Sequence, residues 1–310
     1  MHLPFFASFA IFGSLIKIYV SEGITPTKAP TIYPIGIISR ISGQSSGKTD
    51  NGISALNAKI DPYGISLDNT QSVYFADQTY RKIRFIDSTS GNITTVVGTG
   101  QTGSYYNGEG LAVNANLNKP TATFVTSNYL YIAEPDNFSI LRVHLASKMI
   151  TAIAGTGVTP EGSKPVGGYD NNKPALQTKI KPNSVFVDSN DNFLYFAEML
   201  THLVRQIDLK TMICTIVAGT GDPGTGGENK KAVNTPLYQP FYAIADNNGN
   251  IYISEQKYSR IRKVDKNTGN LTTIAGTGIA GPGTDNILAT RSQVNYPCHL
   301  ALDNAGNFEI

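Results

Sequence analysis

The chain has 310 residues, enough for a sizeable core, and 15% of them are charged against 40% that are hydrophobic. This low charge content, with 30 Gly, 16 Pro and 16 Tyr, excludes a coiled coil, a helical bundle or an acidic disordered chain. The formal net charge of +2 gives no sign of a polyanionic partner. We therefore expect a mainly β protein.

The N-terminus carries an uncharged apolar run from Phe5 to Ile16 that ends at Lys17. The run is too short to cross a bilayer but has the length of a signal-peptide core. Ser21 and Gly23 then offer small residues for cleavage. We expect residues 1–23 to be a signal peptide, 24–36 a Pro-rich linker and the protein to be secreted, without a transmembrane helix. The alternative is a partly buried N-terminal segment.

From residue 37 onward the sequence repeats about every 60 residues. Gly-Thr-Gly recurs at 98–100, 155–157, 219–221 and 276–278, each time closing an apolar β-branched run. The repeated units also begin with a proline, and most carry an Asp six residues later, a Tyr-containing strand and an Arg-containing strand. Four short strands per unit, separated by Gly, Asn and Asp turns, predict an all-β protein, a β-propeller of four-stranded blades. The predicted units are residues 62–100, 120–157, 182–221 and 240–278, with a partial unit at 297–310.

Between units, an alanine and an aliphatic residue recur five positions apart, as at Ala112 and Leu117 or Ala175 and Ile180. We interpret this spacing as a helical turn that tethers each inter-blade connection. Because it recurs in every unit, it is architecture and not a site.

The unit from Pro240 to Gly278 reads GNIYISE at 249–255, RIRKVD at 260–265 and TIAGTG at 273–278. These motifs resemble the NHL-repeat family, and the resemblance covers residues 37–310. It implies a propeller, usually six-bladed, that presents one face to a ligand or partner. The NHL domain of teneurin adhesion receptors is also similar.

The end of the chain departs from that pattern, because Gly306 to Ile310 stops inside the second strand of a unit. We expect four complete units plus two partial ones, hence a fragment or truncated gene product. Closure into five blades, by pairing strand 37–43 with 297–310, is the alternative. An open ring would expose strand edges and favour self-association.

The binding face is predicted at the channel mouth, just after each proline. Its candidates are aromatic and polar residues that differ between units: Tyr63, Asn183, Phe241, Tyr242, Tyr296 and His299. Clustered aromatic residues are typical of binding hot spots, although they can equally well plug the channel. The same positions offer no carboxylate and a single His beside Cys298, so we expect no catalytic residue, metal or other cofactor.

The repeated charges receive a structural interpretation. We expect the Arg of each third strand, at 84, 142, 205 and 262, to pair with the acid that ends the second strand, at 77, 134, 198 and 255. Cys214 occupies a position that is Ile or Leu in other units, which predicts a buried small hydrophobe.

The function that these residues favour is a non-catalytic extracellular scaffold that binds a protein or a glycan. Sequons at Asn92, Asn137 and Asn270 are compatible with secretion and predict glycosylation. One alternative is a propeller hydrolase or lyase. Another is an intracellular RNA-binding protein using Lys59, Lys119 and Lys181, although the low net charge predicts no nucleic-acid partner.

Overall fold

The computed structural model of the chain describes residues 6–11, 14–19, 37–42, 51–103, 108–160, 169–302 and 308–309. Within these residues the secondary structure consists of β-strands and single 3₁₀ turns, without an α-helix. Val, Ile, Tyr and Phe fill the strands, while Gly, Asn and Asp fill the turns between them, a composition that favours short strands over helices. The all-β prediction is confirmed.

The strands form four blades flanked by two smaller sheets. The first sheet contains β1 (Phe6–Ile11), β2 (Ser14–Tyr19) and β3 (Ile37–Ser42). Blade 1 contains β4 (Ile53–Ser54), β5 (Pro62–Leu67), β6 (Val73–Asp77), β7 (Lys82–Ile86) and β8 (Asn92–Val97). Blade 2 contains β9 (Glu109–Leu111), β10 (Ala122–Val125), β11 (Tyr129–Glu134), β12 (Ser139–His144) and β13 (Met149–Ala154).

The second half of the chain repeats this order. Blade 3 contains β14 (Lys173–Pro174), β15 (Phe186–Val187), β16 (Phe193–Glu198), β17 (Leu203–Asp208) and β18 (Ile213–Ala218). Blade 4 contains β19 (Lys230–Lys231), β20 (Pro240–Ala245), β21 (Ile251–Glu255), β22 (Arg260–Val264) and β23 (Asn270–Ala275). A final hairpin pairs β24 (Ala301–Leu302) with β25 (Phe308–Glu309).

Each blade has five antiparallel strands, one more than the sequence predicted. In blade 1 the order from channel to rim is β5-β6-β7-β8-β4, and the other blades follow it. The extra rim strand is two or three residues long, and Lys173–Pro174 and Lys230–Lys231 are exposed. Such a segment has no buried face and therefore no apolar alternation to reveal it.

The predicted inter-blade turn is confirmed, as a 3₁₀ turn that begins at an alanine, which is buried at 55, 112, 175 and 232 and exposed at 289. Ala175 donates its N–H to Met212 O in its own blade (2.8 Å) and accepts from Gly155 N of the preceding blade (2.9 Å). The equivalent backbone bonds recur at Ala112 and Ala232. The five inter-blade turns are Ala55–Asn57, Ala112–Asn114, Ala175–Gln177, Ala232–Asn234 and Ala289–Arg291, and a sixth 3₁₀ turn, Pro135–Asn137, lies within blade 2. The alanine thus links two blades through its backbone alone.

The first glycine of each Gly-Thr-Gly is required by a close approach. Gly219 has φ +94°, and a Cβ built there would lie 2.3 Å from His202 O. An L side chain at this position would be strained by its backbone and would also strike a carbonyl. The first glycine of the triplet therefore recurs for a steric reason.

Hydrophobic side chains fill the spaces between adjacent blades. Leu117 and Ile132 lie between blades 1 and 2, Phe196 between blades 2 and 3, and Leu237 between blades 3 and 4, all fully buried. Cys214 is fully buried in the cluster between blades 2 and 3, as predicted. Stability is therefore shared between neighbouring blades.

The two chain ends differ from the sequence expectation. Strand β2 pairs with both β1 and β3, and β1 lies beside β5, the inner strand of blade 1. The N-terminal partial unit therefore has three strands and not one. Strand β3 and the β24–β25 hairpin belong to different sheets, so the composite blade of 37–43 and 297–310 is not formed by the described strands. The proposed cleavage site near residues 21–23 and the linker 24–36 lie outside the described residues.

Candidate functional site

The innermost strands define a channel with two ends. We call the end where these strands begin, after Pro62, Pro120, Pro182 and Pro240, the proline face. The end where they reach Asp68, Asp188 and Asp246 is the aspartate face. Because side chains alternate along a strand, the residues two and four positions after each proline point the same way. The first layer is Gly64, Ala122, Ser184, Tyr242 and His299, and the second is Ser66, Phe124, Phe186, Ile244 and Ala301.

The first layer narrows the channel towards the proline face. On one side Gly64 donates its N–H to Thr121 O (2.9 Å), and a Cβ on Gly64 would lie 2.6 Å from Ala122 Cα. Strands β5 and β10 therefore touch at this level. On the other side the rings of Tyr242 and His299 lie 4.7 Å apart, centroid to centroid, and fill the space.

On the aspartate side of this layer the channel widens into a cavity of about 670 Å³. Strands β5, β15, β20 and β24, together with Phe124 of β10, line it. Its apolar lining includes Phe124, Phe186, Ile244 and Leu300, and its polar lining includes Ser66, Ser189, Asp246, Asn247 and Asn248. Mixed apolar walls with a few polar groups are typical of small-molecule sites.

The carboxylate of Asp246 stands at the mouth of this cavity and is held in place by its own turn. Its Oδ1 accepts from the backbone N–H of Asn248 (2.9 Å) and Asn250 (2.8 Å). Its Oδ2 accepts from the Asn250 amide (2.7 Å) and the Tyr252 hydroxyl (3.0 Å). Burial acts to raise the pKa of Asp246, but these hydrogen bonds outweigh it and lower the pKa overall. The mouth therefore keeps a negative charge.

Side chains of successive turns meet around this mouth. Asn69 Nδ2 lies 3.5 Å from Ser127 Oγ, and the Ser189 hydroxyl donates to Asn247 Oδ1 at 3.0 Å. These contacts join blade 1 to blade 2 and blade 3 to blade 4 at the aspartate face, and the second of them lies between two residues that line the cavity.

The structure divides the candidates predicted from the sequence between three places. Tyr242 lines the cavity, and Phe241 and His299 pack with it as an aromatic cluster, with 6.2 Å between their ring centroids. Asn183 is half-buried and serves the scaffold, because its Oδ1 accepts from Met199 N at 3.0 Å. Tyr63 and Tyr296 are 39% and 52% exposed and do not line the cavity. Of the predicted residues, the structure therefore places Tyr242 in the cavity lining and Tyr63 and Tyr296 outside it.

The other lining residues, among them Phe124, Phe186, Ser189, Asn247 and Asn248, were not predicted as site residues. The signal that points to them is the two-residue period of the inner strand. It places Phe124 and Phe186 one layer below Ala122 and Ser184.

The predicted pairing of arginine with the acid of the second strand is confirmed in three blades. Arg205 Nε lies 2.7 Å from Glu198 Oε2, Arg262 Nη1 lies 3.0 Å from Glu255 Oε2, and Arg84 Nη1 lies 3.8 Å from Asp77 Oδ2. All six side chains are fully buried. These arginines act between the blades and do not reach the channel.

Blade 2 breaks this pattern, and the predicted partner for Glu134 is wrong. Strand pairing places Leu141, opposite Ile132, where other blades carry the buried arginine, whereas Arg142 lies opposite Tyr131 and stacks over the Tyr129 ring at 4.7 Å. The carboxylate of Glu134 instead accepts from Asn118 N (2.7 Å) and Asn137 Nδ2 (3.2 Å). Burial raises the pKa of Glu134 to about 7.

The three sequons have different surroundings. Asn92 and Asn270 begin the fourth strand of their blades and are half-buried. Asn137 is 4% exposed, and its amide donates to Glu134. A glycan on Asn137 would not fit this packing.

No group of three or more His, Cys, Asp and Glu side chains within the described residues is arranged to bind a metal ion. Burial lowers the pKa of His299 to about 4, so its ring is neutral. No helix in the described part of the chain is long and apolar enough to cross a membrane.

No protein-family model matches the chain. NHL repeat-containing protein 2 of Homo sapiens is 27% identical over 289 residues, which are 86% of this chain and 39% of that protein. Protein SUPPRESSOR OF QUENCHING 1, chloroplastic, of Arabidopsis thaliana is 24% identical over 259 residues, which are 80% of this chain and 24% of that protein. The chain thus spans well under half the length of these curated relatives.

Among solved structures, an auxiliary nutrient binding protein from Bacteroides ovatus superposes with a TM-score of 0.50 at 15% identity, over 79% of this chain and 65% of that one. At this identity the likeness concerns the fold alone. The repeated units and the four blades define a β-propeller, and its distant relatives in sequence include NHL repeat-containing proteins. The expected likeness to teneurins is not shown.

Proposed function

We propose that this propeller is a non-catalytic binding module that takes its ligand in the central cavity. The observation that carries the proposal is the cavity of about 670 Å³ between the inner strands, with aromatic walls and a polar rim. Pockets of roughly 300–1,000 Å³ accept small molecules and short oligomers. Of the two ligand types expected from the sequence, a glycan fits this cavity better than a folded protein does.

The charges near the cavity favour a ligand other than RNA. A carboxylate stands at the mouth, and neither Lys nor Arg is among the described residues that line it. Lys181, one of the lysines considered for RNA, lies with its Nζ 5.5 Å from the Phe138 ring centroid. A backbone-reading RNA site needs a basic surface that neutralises phosphates.

A glycan array tests this function directly. The wild-type chain is compared with Ala301→Phe, which fills the cavity from β24, and with Val233→Phe, a control on the outer rim, where Val233 is 46% exposed. We expect wild type and Val233→Phe to bind the same glycans in EDTA, and Ala301→Phe to lose them. Mass spectrometry should show the ligand unchanged after incubation. Metal-dependent turnover of the ligand would favour the enzyme alternative and contradict the proposal.

The extracellular location is part of this proposal, in which the strands β1 (Phe6–Ile11) and β2 (Ser14–Tyr19) belong to a leader that is removed, so that the secreted propeller begins with β3. This location is supported by the apolar run Phe5–Ile16 and by the positions of Asn92 and Asn270 at the start of edge-side strands. Intact mass of the chain from a eukaryotic secretory host should show loss of about the first 23 residues and N-glycans on these two sites. An unprocessed chain without glycans would contradict secretion.

A further inference from the structure

Resting on the proposed binding function, we infer that the cavity takes a neutral saccharide, which enters from the aspartate face and hydrogen-bonds the Tyr242 hydroxyl. This places recognition at the end of the channel opposite to Tyr63 and Tyr296, the exposed tyrosines near the strand starts. Four observations carry the inference: an unsatisfied hydroxyl, two aromatic walls, the charge of the mouth and the polar rim.

Tyr242 is the tyrosine among the described residues that line the cavity. The residue is 6% exposed, and none of the described residues hydrogen-bonds its hydroxyl. Its ring is fixed, because the backbone N–H donates to Ser254 Oγ (3.0 Å) and the ring packs on His299. Burial raises the pKa of Tyr242, which keeps the hydroxyl protonated as a donor. A buried hydroxyl of this kind gains from a ligand that supplies the missing partner.

A second tyrosine on the same face shows the contrast. Tyr252 donates its hydroxyl to Asp246 Oδ2 at 3.0 Å and is thereby part of the turn. The two tyrosines therefore have separable roles, one facing a ligand and one supporting the mouth.

The walls of the cavity carry aromatic rings at the level above the rim. Phe124 and Phe186 contact each other edge to face, with 4.8 Å between centroids, and both remain partly exposed in the cavity. Exposure of a phenyl ring to water is unfavourable, and covering the ring with an apolar surface is favourable. The C–H face of a sugar ring supplies such a surface while its hydroxyls face outward.

The mouth excludes anionic ligands. The Asp246 carboxylate is ionised, as its hydrogen bonds lower its pKa, and Asp68 and Asp188 cap the equivalent turns of blades 1 and 3. No Lys or Arg among the described residues lines the cavity to offset them. Because Asp246 already accepts four hydrogen bonds, it has little capacity to bind an ammonium group. A neutral ligand fits both conditions.

The rim of the cavity supplies polar side chains that can distinguish ligands by the positions of their hydroxyl groups. Ser189, Asn247 and Asn248 are exposed at the mouth, and the Ser189 hydroxyl is held by Asn247. Side-chain amides both donate and accept, as sugar hydroxyls require.

Isothermal titration calorimetry with chitotriose, cellotriose and maltotriose tests the inference, with sialyllactose and a glucosamine dimer as charged comparisons. We expect at least one neutral sugar to bind and Tyr242→Phe to weaken it about five- to tenfold, the worth of one hydrogen bond. Tyr242→Phe should melt no lower than wild type, because it removes an unsatisfied group. Tyr252→Phe is the matched control, which should lower the melting temperature and change affinity less.

The outcomes separate this inference from the function on which it rests. Binding of a charged sugar in preference to the neutral ones, blocked by Ala301→Phe, would overturn the neutral-saccharide inference and leave the binding function intact. Equal affinity of Tyr242→Phe and wild type for a cavity ligand would overturn the role of the hydroxyl. Failure of the neutral sugars to bind would overturn the inference, and an array without any ligand sensitive to Ala301→Phe would overturn the function as well.

Discussion

Replacement of Arg205 by leucine reproduces in blade 3 the arrangement that blade 2 has naturally at Leu141. Arg205 Nε lies 2.7 Å from Glu198 Oε2, and both side chains are fully buried. Removal of the guanidinium leaves a buried carboxylate without its countercharge, which typically costs about 3–5 kcal/mol. At about 2–4 °C per kcal/mol for a domain of this size, the melting temperature should fall by about 6–20 °C. Calorimetry and guanidinium chloride unfolding measure both quantities.

The double variant Arg205→Leu with Glu198→Gln provides the decisive comparison. A neutral amide keeps the acceptor for Lys181 N, which now donates to Glu198 Oε1 at 2.6 Å, but carries no charge. We expect it to recover more than half of the loss, because replacement of a whole buried pair is far less destabilising than removal of one partner. A single variant within about 1 kcal/mol of wild type, or a double variant as unstable as the single, would refute this reasoning.

Three further predictions concern the scaffold and the cavity. Because burial raises the pKa of Glu134 from 4.5 to about 7, its contribution to stability is complete below pH 4.5 and is lost as pH rises through 7. Wild type should therefore gain up to about 3 kcal/mol between pH 8 and pH 5 relative to Glu134→Gln, measured by urea unfolding, and parallel profiles would contradict this. Gly219→Ala should cost about 1–3 kcal/mol, and more than Gly91→Ala, where φ is +67° but no atom lies within 4 Å of a built Cβ. Equal losses would remove the steric argument. Ala301→Phe should keep the wild-type melting temperature within a few degrees while abolishing cavity binding, and a large drop would show that the space is needed for folding.

Much of the scaffold could be predicted because each unit repeats the same residues at the contacts between blades. The Gly-Thr-Gly triplet, the alanine of the 3₁₀ turn and the aliphatic residue five positions later all recur, and all mark contacts between neighbouring blades. The two-residue rim strand could not be predicted, because exposed residues such as Lys230 and Lys231 have no buried face to impose a pattern.

The site was predicted only in part, for a related reason. The residues that differ between units predicted a binding site in the central channel. One of them, Tyr242, lines the cavity. Variation alone does not say at which end of the channel there is space. That depends on Gly64, which brings β5 against β10, and on the ring of His299, so that the cavity opens near Phe186 and not near Tyr63. Blade 2 shows a second limit of the sequence pattern. Arg142 lies one residue beyond the position that is equivalent to Arg262, so its side chain points to the opposite face of the sheet.

The most direct test of a ligand site on the aspartate face is a crystal structure with a neutral oligosaccharide identified by the array. The account predicts density for a sugar ring packed against the cavity-facing surfaces of Phe124 and Phe186, with one hydroxyl within hydrogen-bond distance of the Tyr242 hydroxyl. Density at Tyr63 or Tyr296 on the proline face, with the cavity unchanged, would contradict it.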